Sequence, residues 1–158
     1  MHNGKRIKVL QIITRLDRGG SAKVVLELAA HLDRRVFAAE IISGLTIHPQ
    51  ERIDDYMKRT GIKVRFLPAL QRELSWHNEV LATISLYRLI REIKPDLVHT
   101  HSSKAGILGR LATKLNGISA IVHSPHGHVF YGYFGRAKTG LFIFLERLSA
   151  FWTDNIFT

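Results

Sequence analysis

Cysteine is absent from this 158-residue chain. Without a thiol the protein can form no disulfide, no zinc–thiolate site and no cysteine nucleophile, and the absence is compatible with a reducing cytosol. Long apolar runs are absent as well, since no stretch reaches the ~20 apolar residues that a membrane-spanning helix needs. The first residues also lack the apolar core and cleavage site of a signal peptide. We therefore expect a cytoplasmic protein without a membrane-spanning segment.

Acidic residues are few, with 13 Asp and Glu against 23 Lys and Arg, and the formal net charge is +10. Such an excess attracts anionic partners, for example phosphorylated substrates or anionic lipid headgroups. The basic residues are dispersed along the chain, so the concentrated basic stripe of a nucleic-acid-binding protein is not visible, and we expect no nucleic-acid partner. Hydrophobic residues make up 46% of the chain, which is enough for the core of one ordinary domain.

Short apolar runs alternate with amphipathic stretches along the chain. The apolar runs predict strands at 7–14, 36–43, 62–68, 96–101, 119–124 and from 154 onwards. The amphipathic stretches predict helices at 21–32, 50–61, 78–94, 103–117 and 136–152. Strands that are almost continuously apolar are typical of a sheet buried on both faces. We predict an α/β fold: a doubly wound, mostly parallel, Rossmann-like sheet of about six strands with helices on both faces.

Two adjacent glycines follow the first predicted strand. In open parallel sheets, ligands bind at the carboxyl ends of the strands, so the residues just after each strand are the candidates. Gly19 and Gly20 stand at the entrance of a helix, where free backbone N–H groups and the helix dipole favour an anion. The missing side chains would let a phosphate approach the backbone. The pattern is neither a GxGxxG motif nor a P-loop, and a plain flexible turn explains it equally well.

A polar segment follows the fourth predicted strand. His99 and His101 are two residues apart, so they face the same side of the sheet. Ser102 and Ser103 begin the next helix as candidate N-caps, and Lys104 lies in its first turn. A cation there opposes the helix dipole unless it meets a bound anion. The alternative is that the serines simply cap the helix and that Lys104 is solvated.

The stretch after the fifth predicted strand, HSPHGHVFYGYFG at 123–135, holds three histidines, three glycines and four aromatic residues but no acid. The aromatic side chains could line a substrate groove, enter a membrane interface or pack on the protein itself. The histidines could supply metal ligands, but a catalytic metal site usually also needs carboxylates, and the nearby Asp96 begins its strand at the opposite edge. The GxSxG turn of a serine nucleophile is also missing. We expect no metal site.

Three segments together resemble the N-terminal domain of the family 4, or group 1, glycosyltransferases: LQIITRLDRGGSAKVVLELAAHL (10–32), DLVHTHSSKAGILGRLATKLNG (96–117) and HSPHGHVFYGYFGRAKTGLFIFLERL (123–148). These are retaining enzymes of GT-B fold, in which two Rossmann-like domains face a cleft. The resemblance covers essentially the whole chain. It implies that residues 1–158 are the acceptor-side domain and that the C-terminal nucleotide-sugar-binding domain, with its E-x7-E motif, is absent. The fragment alone is then expected to be inactive.

The resemblance also implies roles for single residues. Gly19 and Gly20 would approach the donor diphosphate, and Gly127 would complete a donor-binding loop. His126 would be the catalytic residue that reaches the transferred sugar and orients it. No metal or other cofactor is implied, because the departing phosphate is thought to serve as the base. The residues that fall where such enzymes contact the acceptor are Ser102, Ser103 and Lys104.

The implied partners are a nucleotide-sugar donor and a glycan, lipid-linked or small-molecule acceptor, in cell-envelope or polysaccharide synthesis. Because many such acceptors are membrane-bound and the chain is basic, we also expect peripheral contact with the anionic inner face of the membrane. Two alternatives stay open: half of a nucleotide-sugar epimerase of the same fold, or a non-catalytic module that binds a polyanion or glycan. A dinucleotide-dependent dehydrogenase is disfavoured, because the first turn lacks a third glycine and the second strand ends with Ser43 instead of an acid.

Overall fold

The computed structural model of the chain describes residues 5–49, 51–71, 73, 75–126 and 136–157. Within them, six strands form one sheet together with five helices. The strands are β1 (Ile7–Ile13), β2 (Phe37–Ser43), β3 (Lys63–Phe66), β4 (Leu97–His101), β5 (Ala120–Ser124) and β6 (Asn155–Ile156). The helices are α1 (Gly20–His31), α2 (Ile53–Thr60), α3 (Trp76–Ile93), α4 (Ser103–Leu115) and α5 (Arg136–Ala150). The predicted α/β fold is confirmed, with every element in the expected order.

The sheet has the strand order β3-β2-β1-β4-β5-β6, and each neighbouring pair is parallel. From β1 the chain builds the sheet in one direction, then crosses back through α3 to β4 and builds it in the other direction. The strand order therefore reverses between β1 and β4. Doubly wound sheets bind ligands at this switch point, beyond the carboxyl ends of the strands.

Buried apolar residues form a core on each face of the sheet. Because successive side chains of a strand point to opposite faces, Ile12 packs with α3 and α4 while its neighbour Ile13 packs with α1 and α2. Leu86 and Ile90 of α3 are fully buried in the first core, and Val25 of α1 is fully buried in the second. The helices thus cover both faces, as the sequence predicts.

Loops that follow the first three strands converge at the carboxyl edge. Gly44, directly after β2, donates its N–H to the carbonyl of Thr14 at 3.1 Å. A Cβ at this glycine would lie 1.9 Å from the Leu70 carbonyl oxygen and 2.3 Å from the Thr14 carbonyl oxygen. Only a residue without a side chain fits there, so glycine fixes how closely the three loops approach one another.

The residues that follow α2 and α3 explain why these helices end where they do. The residue after α2, Gly61, has φ 66° and satisfies a carbonyl of the last turn, as expected for a glycine that closes a helix. α3 ends before Lys94, which has φ 51° and precedes Pro95, a residue that cannot continue the helix. In the part of the chain that the structure describes, no helix has the length and apolar character needed to cross a bilayer.

Candidate functional site

At the switch point, the loops that follow β1 and β4 are in direct contact. Thr14 Oγ1 lies 2.9 Å from Ser102 Oγ, and the N–H of Ala105 donates to Thr14 Oγ1 at 3.3 Å. Thr14 therefore satisfies a free N–H group in the first turn of α4 from a different part of the chain. The contact joins the two halves of the sheet at the place where a ligand is expected to bind.

Ser102 is held in a conformation that residues with a side chain rarely adopt, with φ 63° and ψ 162°. Its N–H donates to the carbonyl of Ser124 at 3.0 Å, and its hydroxyl is engaged by Thr14. The side chain makes no cap bond to α4, so the expectation that Ser102 caps the helix is wrong in its hydrogen bonding although right in position. Backbone strain of this kind is concentrated at functional sites.

Gly19 and Gly20 lie at the entrance of α1, and both are exposed. A Cβ at Gly20 would meet no atom within 4 Å, and one at Gly19 would meet only the Asp17 carbonyl oxygen at 3.9 Å. Packing within the chain therefore does not require glycine at either position. The first turn of α1 also carries no acidic residue, so no side chain of that turn competes with an anion for its N–H groups and the positive end of the helix dipole.

A basic pocket of about 560 Å³ lies beside this turn, and its lining residues are Arg18, Ile47, His48, Pro49, Glu51 and Arg52. Asp17 fixes its shape, because one carboxylate oxygen accepts from the N–H groups of Ile47 and His48 at 2.9 Å each. Arg18 donates its N–H to the His48 carbonyl at 2.8 Å, which ties the same two loops together. Glu51 is paired with Arg59 and Arg52 with Asp55, and the lining is basic because it holds two arginines and one glutamate.

Three histidines lie together on the sheet face that carries α1 and α2. The rings of His99 and His101 are 4.0 Å apart, as expected for residues two apart on a strand. His126 follows β5, with φ 56°, and its Nε2 lies 2.8 Å from His101 Nδ1. His101 Nε2 lies 2.6 Å from Gln11 Oε1 on β1, and His99 Nε2 lies 2.9 Å from Ser124 Oγ. The group runs from the sheet interior to exposed His126 at the carboxyl edge.

All three imidazoles are held neutral near pH 7. Burial, with smaller contributions from the neighbouring histidines, lowers the pKa of His101 to about 2. Burial, with a smaller contribution from His126, lowers the pKa of His99 to about 4. Burial also lowers the pKa of His126, although less. His126 therefore presents a neutral ring to the edge of the sheet, one that can accept a hydrogen bond and carries no charge.

A fourth histidine, His123, lies on the opposite face beneath α4. Its Nδ1 is 3.0 Å from Thr100 Oγ1, and its ring packs directly against Gly106. Burial, together with the charge of Arg110, lowers the pKa of His123 to about 3. Arg110 is fully buried and pairs with Glu146 of α5. This cluster lies inside the helix layer and joins α4 to α5, so its role is structural.

Lys104 makes contacts that the sequence did not indicate. Its ammonium group lies 2.8 Å from a carboxylate oxygen of Glu79 on α3 and 2.5 Å from the carbonyl of Glu73. The side chain is 10% exposed. Lys104 is therefore neither solvated nor open to an anion in this state, and Ser103 beside it is buried. A role for either residue in acceptor binding stays a prediction.

The structure brings together most of the residues that the sequence singled out. Gly19, Gly20, Ser102 and His126 all lie at the carboxyl edge of the strands, while Gly127 lies outside the described residues. Asp96 lies at the other edge, where its carboxylate accepts from the N–H of Lys8. Sequence reasoning missed Thr14, Gln11 and the pocket beside Arg18. Across the described ranges, no group of three or more His, Asp or Glu side chains is arranged to hold a metal ion.

Comparison with known proteins identifies a family. Residues 19–158 match the family described as glycosyl transferase 4-like domain. A curated protein of Escherichia coli, UDP-Gal:alpha-D-GlcNAc-diphosphoundecaprenol alpha-1,3-galactosyltransferase, is 36% identical over 104 residues. The match covers 66% of this chain and 27% of that protein.

Solved structures show the same fold at low identity. Sucrose-phosphate synthase from Thermosynechococcus elongatus gives a TM-score of 0.67 at 14% identity, over 96% of this chain and 42% of that one. UDP-GlcNAc 2-epimerase from Neisseria meningitidis, bound to UDP-GlcNAc, gives a TM-score of 0.61 at 17% identity. The match covers 96% of this chain and 40% of that one. This chain therefore spans less than half the length of each of these relatives.

Proposed function

Because the chain belongs to the family of glycosyl transferase 4-like domains, we propose that residues 1–158 form the acceptor-side domain of an enzyme that transfers a sugar from a nucleotide sugar to an acceptor with retention of configuration. One observation carries this proposal. The open Gly19–Gly20 turn and the neutral imidazole of His126 lie on the same edge of the sheet, on either side of the switch point between β1 and β4. The N–H groups of the turn are suited to an anionic leaving group, and the neutral imidazole is suited to a sugar hydroxyl.

The proposed chemistry follows from the two features. In transfer, the bond from the anomeric carbon to the diphosphate oxygen breaks, and a bond from that carbon to the acceptor oxygen forms. The departing phosphate oxygen takes the acceptor proton. Free N–H groups at the start of α1 stabilise the negative charge that develops on the diphosphate. Neutral His126 accepts a hydrogen bond from a sugar hydroxyl and orients the ring without adding positive charge beside the developing cation, and the proposed transfer uses no metal ion.

A second domain supplies the rest of the site in this proposal. The curated relative and the solved structures are more than twice as long as this chain. We expect the 158-residue chain alone to show no transfer, with the nucleotide held mainly by the second domain. The Gly127 loop, Ser102, Ser103 and Lys104 would complete the donor and acceptor contacts when the two domains close.

The test is a transfer assay on the whole enzyme with His126→Ala. We expect kcat to fall on the order of 100-fold, because the lost hydrogen bond acts on the sugar in the transition state. The midpoint of urea unfolding should change much less than the rate, since His126 is exposed and its removal deletes one hydrogen bond, to His101. The exposed His31, remote at the end of α1, gives a matched control as His31→Ala. An unchanged rate for His126→Ala, or a product with inverted anomeric configuration by NMR, would overturn the proposal.

A lipid-linked acceptor is the acceptor class that the structure supports best. The E. coli relative is named for an acceptor whose sugar is joined through a diphosphate to undecaprenol. In this chain the basic pocket of Arg18, His48 and Arg52 lies beside exposed Leu45 and Ile47, the latter 75% exposed. Positive and apolar side chains side by side are suited to an anionic membrane surface that carries such an acceptor.

Vesicle flotation tests this partner. We expect the protein to float with vesicles that contain anionic phosphatidylglycerol and to remain at the bottom with neutral phosphatidylcholine vesicles. The double variant Arg18→Glu and Arg52→Glu should lose most of the bound fraction, because it reverses charge at the proposed contact surface. Lys114→Glu, at the far end of α4, reverses a single charge away from this surface and serves as the control. Equal flotation with both lipids would contradict membrane contact.

A nucleotide-sugar epimerase is the second candidate, because several solved structures of the same fold are UDP-N-acetylglucosamine 2-epimerases. An epimerase converts its nucleotide sugar without an acceptor, whereas a transferase releases the nucleotide only when an acceptor takes the sugar. Assays of the whole protein with and without acceptor therefore separate the two. Calorimetry that shows tight binding of a nucleotide sugar without turnover would instead support a non-catalytic binding module.

A further inference from the structure

Gln11, His101 and His126 form a continuous hydrogen-bonded chain from the sheet interior to its carboxyl edge. Gln11 is 1% exposed and His101 is fully buried. The two contacts are 2.6 Å from Gln11 Oε1 to His101 Nε2 and 2.8 Å from His101 Nδ1 to His126 Nε2. The planes of the two imidazoles differ by 19°. Each ring nitrogen of His101 is therefore committed to one partner.

The proton positions follow from this geometry. The amide oxygen of Gln11 can only accept, so the neutral His101 ring carries its proton on Nε2 and donates it to Gln11. The remaining nitrogen, Nδ1, then has a lone pair and must accept from Nε2–H of His126. Because His126 is also neutral, its single proton is used in this bond. Its Nδ1 then carries no proton and has a lone pair that can accept a hydrogen bond at the exposed end of the chain.

We propose that Gln11 and His101 are positioning residues that hold His126 in a single tautomer, so that His126 Nδ1 is an obligate hydrogen-bond acceptor for a hydroxyl group of the transferred sugar. The sugar contact rests on the proposed function, whereas the tautomer does not. The ring of His99, 4.0 Å from that of His101 and held by Ser124, packs against the middle of the chain. The contact with His101 explains why a polar residue, Gln11, stands in the middle of a buried strand.

Long-range proton–nitrogen NMR on the isotope-labelled chain tests the tautomer directly, because it separates protonated from unprotonated imidazole nitrogens. In the wild type we expect His126 to show one tautomer, with Nε2 protonated and Nδ1 unprotonated. Gln11→Met keeps the shape but removes the acceptor, so both nitrogens of His126 should move towards the average of two tautomers. The matched control is Ser124→Ala, which removes a contact to His99 on the same face and should leave the His126 spectrum unchanged.

Kinetics of the whole enzyme give a second measurement. We expect Gln11→Met to lower kcat about tenfold, the effect of one neutral hydrogen bond, with the KM for the nucleotide sugar nearly unchanged. A wild-type His126 with Nδ1 protonated, or a Gln11→Met spectrum identical to wild type, would overturn the positioning role. The wild-type spectrum decides this even if the variant does not fold. If the tautomer is as expected but His126→Ala keeps full activity, the proposed function fails and the positioning chain stands.

Discussion

At the first turn of α4, Gly106 lies against the buried imidazole of His123, and a Cβ at this position would be 2.4 Å from Cε1 and 3.1 Å from Nδ1 of that ring. The ring cannot move away easily, because it is buried and its Nδ1 is bound to Thr100. We expect Gly106→Ala to lower the free energy of unfolding by roughly 1–3 kcal/mol, the usual effect of overpacking. Urea unfolding followed by circular dichroism measures it.

A second helical glycine provides the control for this prediction. A Cβ at Gly140 in α5 would meet no atom within 4 Å. Gly140→Ala should therefore show only the gain in helix propensity, up to about 1 kcal/mol of added stability. If Gly106→Ala proved as stabilising as Gly140→Ala, the close packing of His123 against α4 would be wrong.

Single residues also show where sequence reasoning about the site succeeds and where it stops. Gly19, Gly20 and His126 could be predicted, because each directly follows a strand and the carboxyl ends of parallel strands share one edge. Thr14 and Gln11 could not. A threonine at a strand end and a glutamine inside a strand have no local signature, and their contacts depend on which strands become neighbours and in what register.

The order and type of the helices and strands could be predicted because each sequence pattern that indicates them is local. Apolar runs bounded by turn residues and helical periodicity are both visible within a dozen residues. Their ends were less accurate: the predicted helix at 50–61 begins only at Ile53, because Pro49 is tied to Asp17 in an isolated bridge between two loops. Such a contact joins residues far apart in sequence, so no local pattern could indicate it.

Packing between helices depends on the same kind of distant pairing. Lys104 links α4 to Glu79 of α3, and Arg110 links α4 to Glu146 of α5. In the sequence these are separate charges on separate amphipathic helices, and such charges normally face solvent. In the fold they tie three consecutive helices into one layer beneath the switch point. The loop that carries Ser102 therefore rests on a layer in which Lys104 and Arg110 are already paired.

On the scale of the whole molecule, most of the positive charge lies at the surface, whereas three histidines are buried. Exposed arginines and lysines produce most of the +10 charge, whereas His99, His101 and His123 are buried in the sheet in their neutral form. Adding protons to these rings would place cations inside a molecule that is already basic. The fold is therefore expected to be sensitive to mild acid.

The pKa values give the direction and the range of this sensitivity. In the folded protein they lie at about 4 for His99, about 2 for His101 and about 3 for His123, all below the ~6.5 of an unfolded chain. Below pH ~6.5 the unfolded chain thus binds more protons than the folded one. Stability is fully present above that pH and is lost as the pH falls towards 4, by about 1.4 kcal/mol per pH unit for each imidazole.

Urea unfolding at pH 7.5, 6.5 and 5.5, at constant ionic strength, measures this loss before most carboxylates titrate. We expect a fall of about 1 kcal/mol between pH 7.5 and 6.5 and of several kcal/mol by pH 5.5, because three buried rings act together. His99→Phe removes one ring and should flatten the slope by about a third, while exposed His31→Gln should leave it unchanged. A stability that stayed constant down to pH 5 would mean that these imidazoles accept protons without unfolding, and the neutral His101–His126 pair on which sugar orientation is proposed to depend would then have no basis.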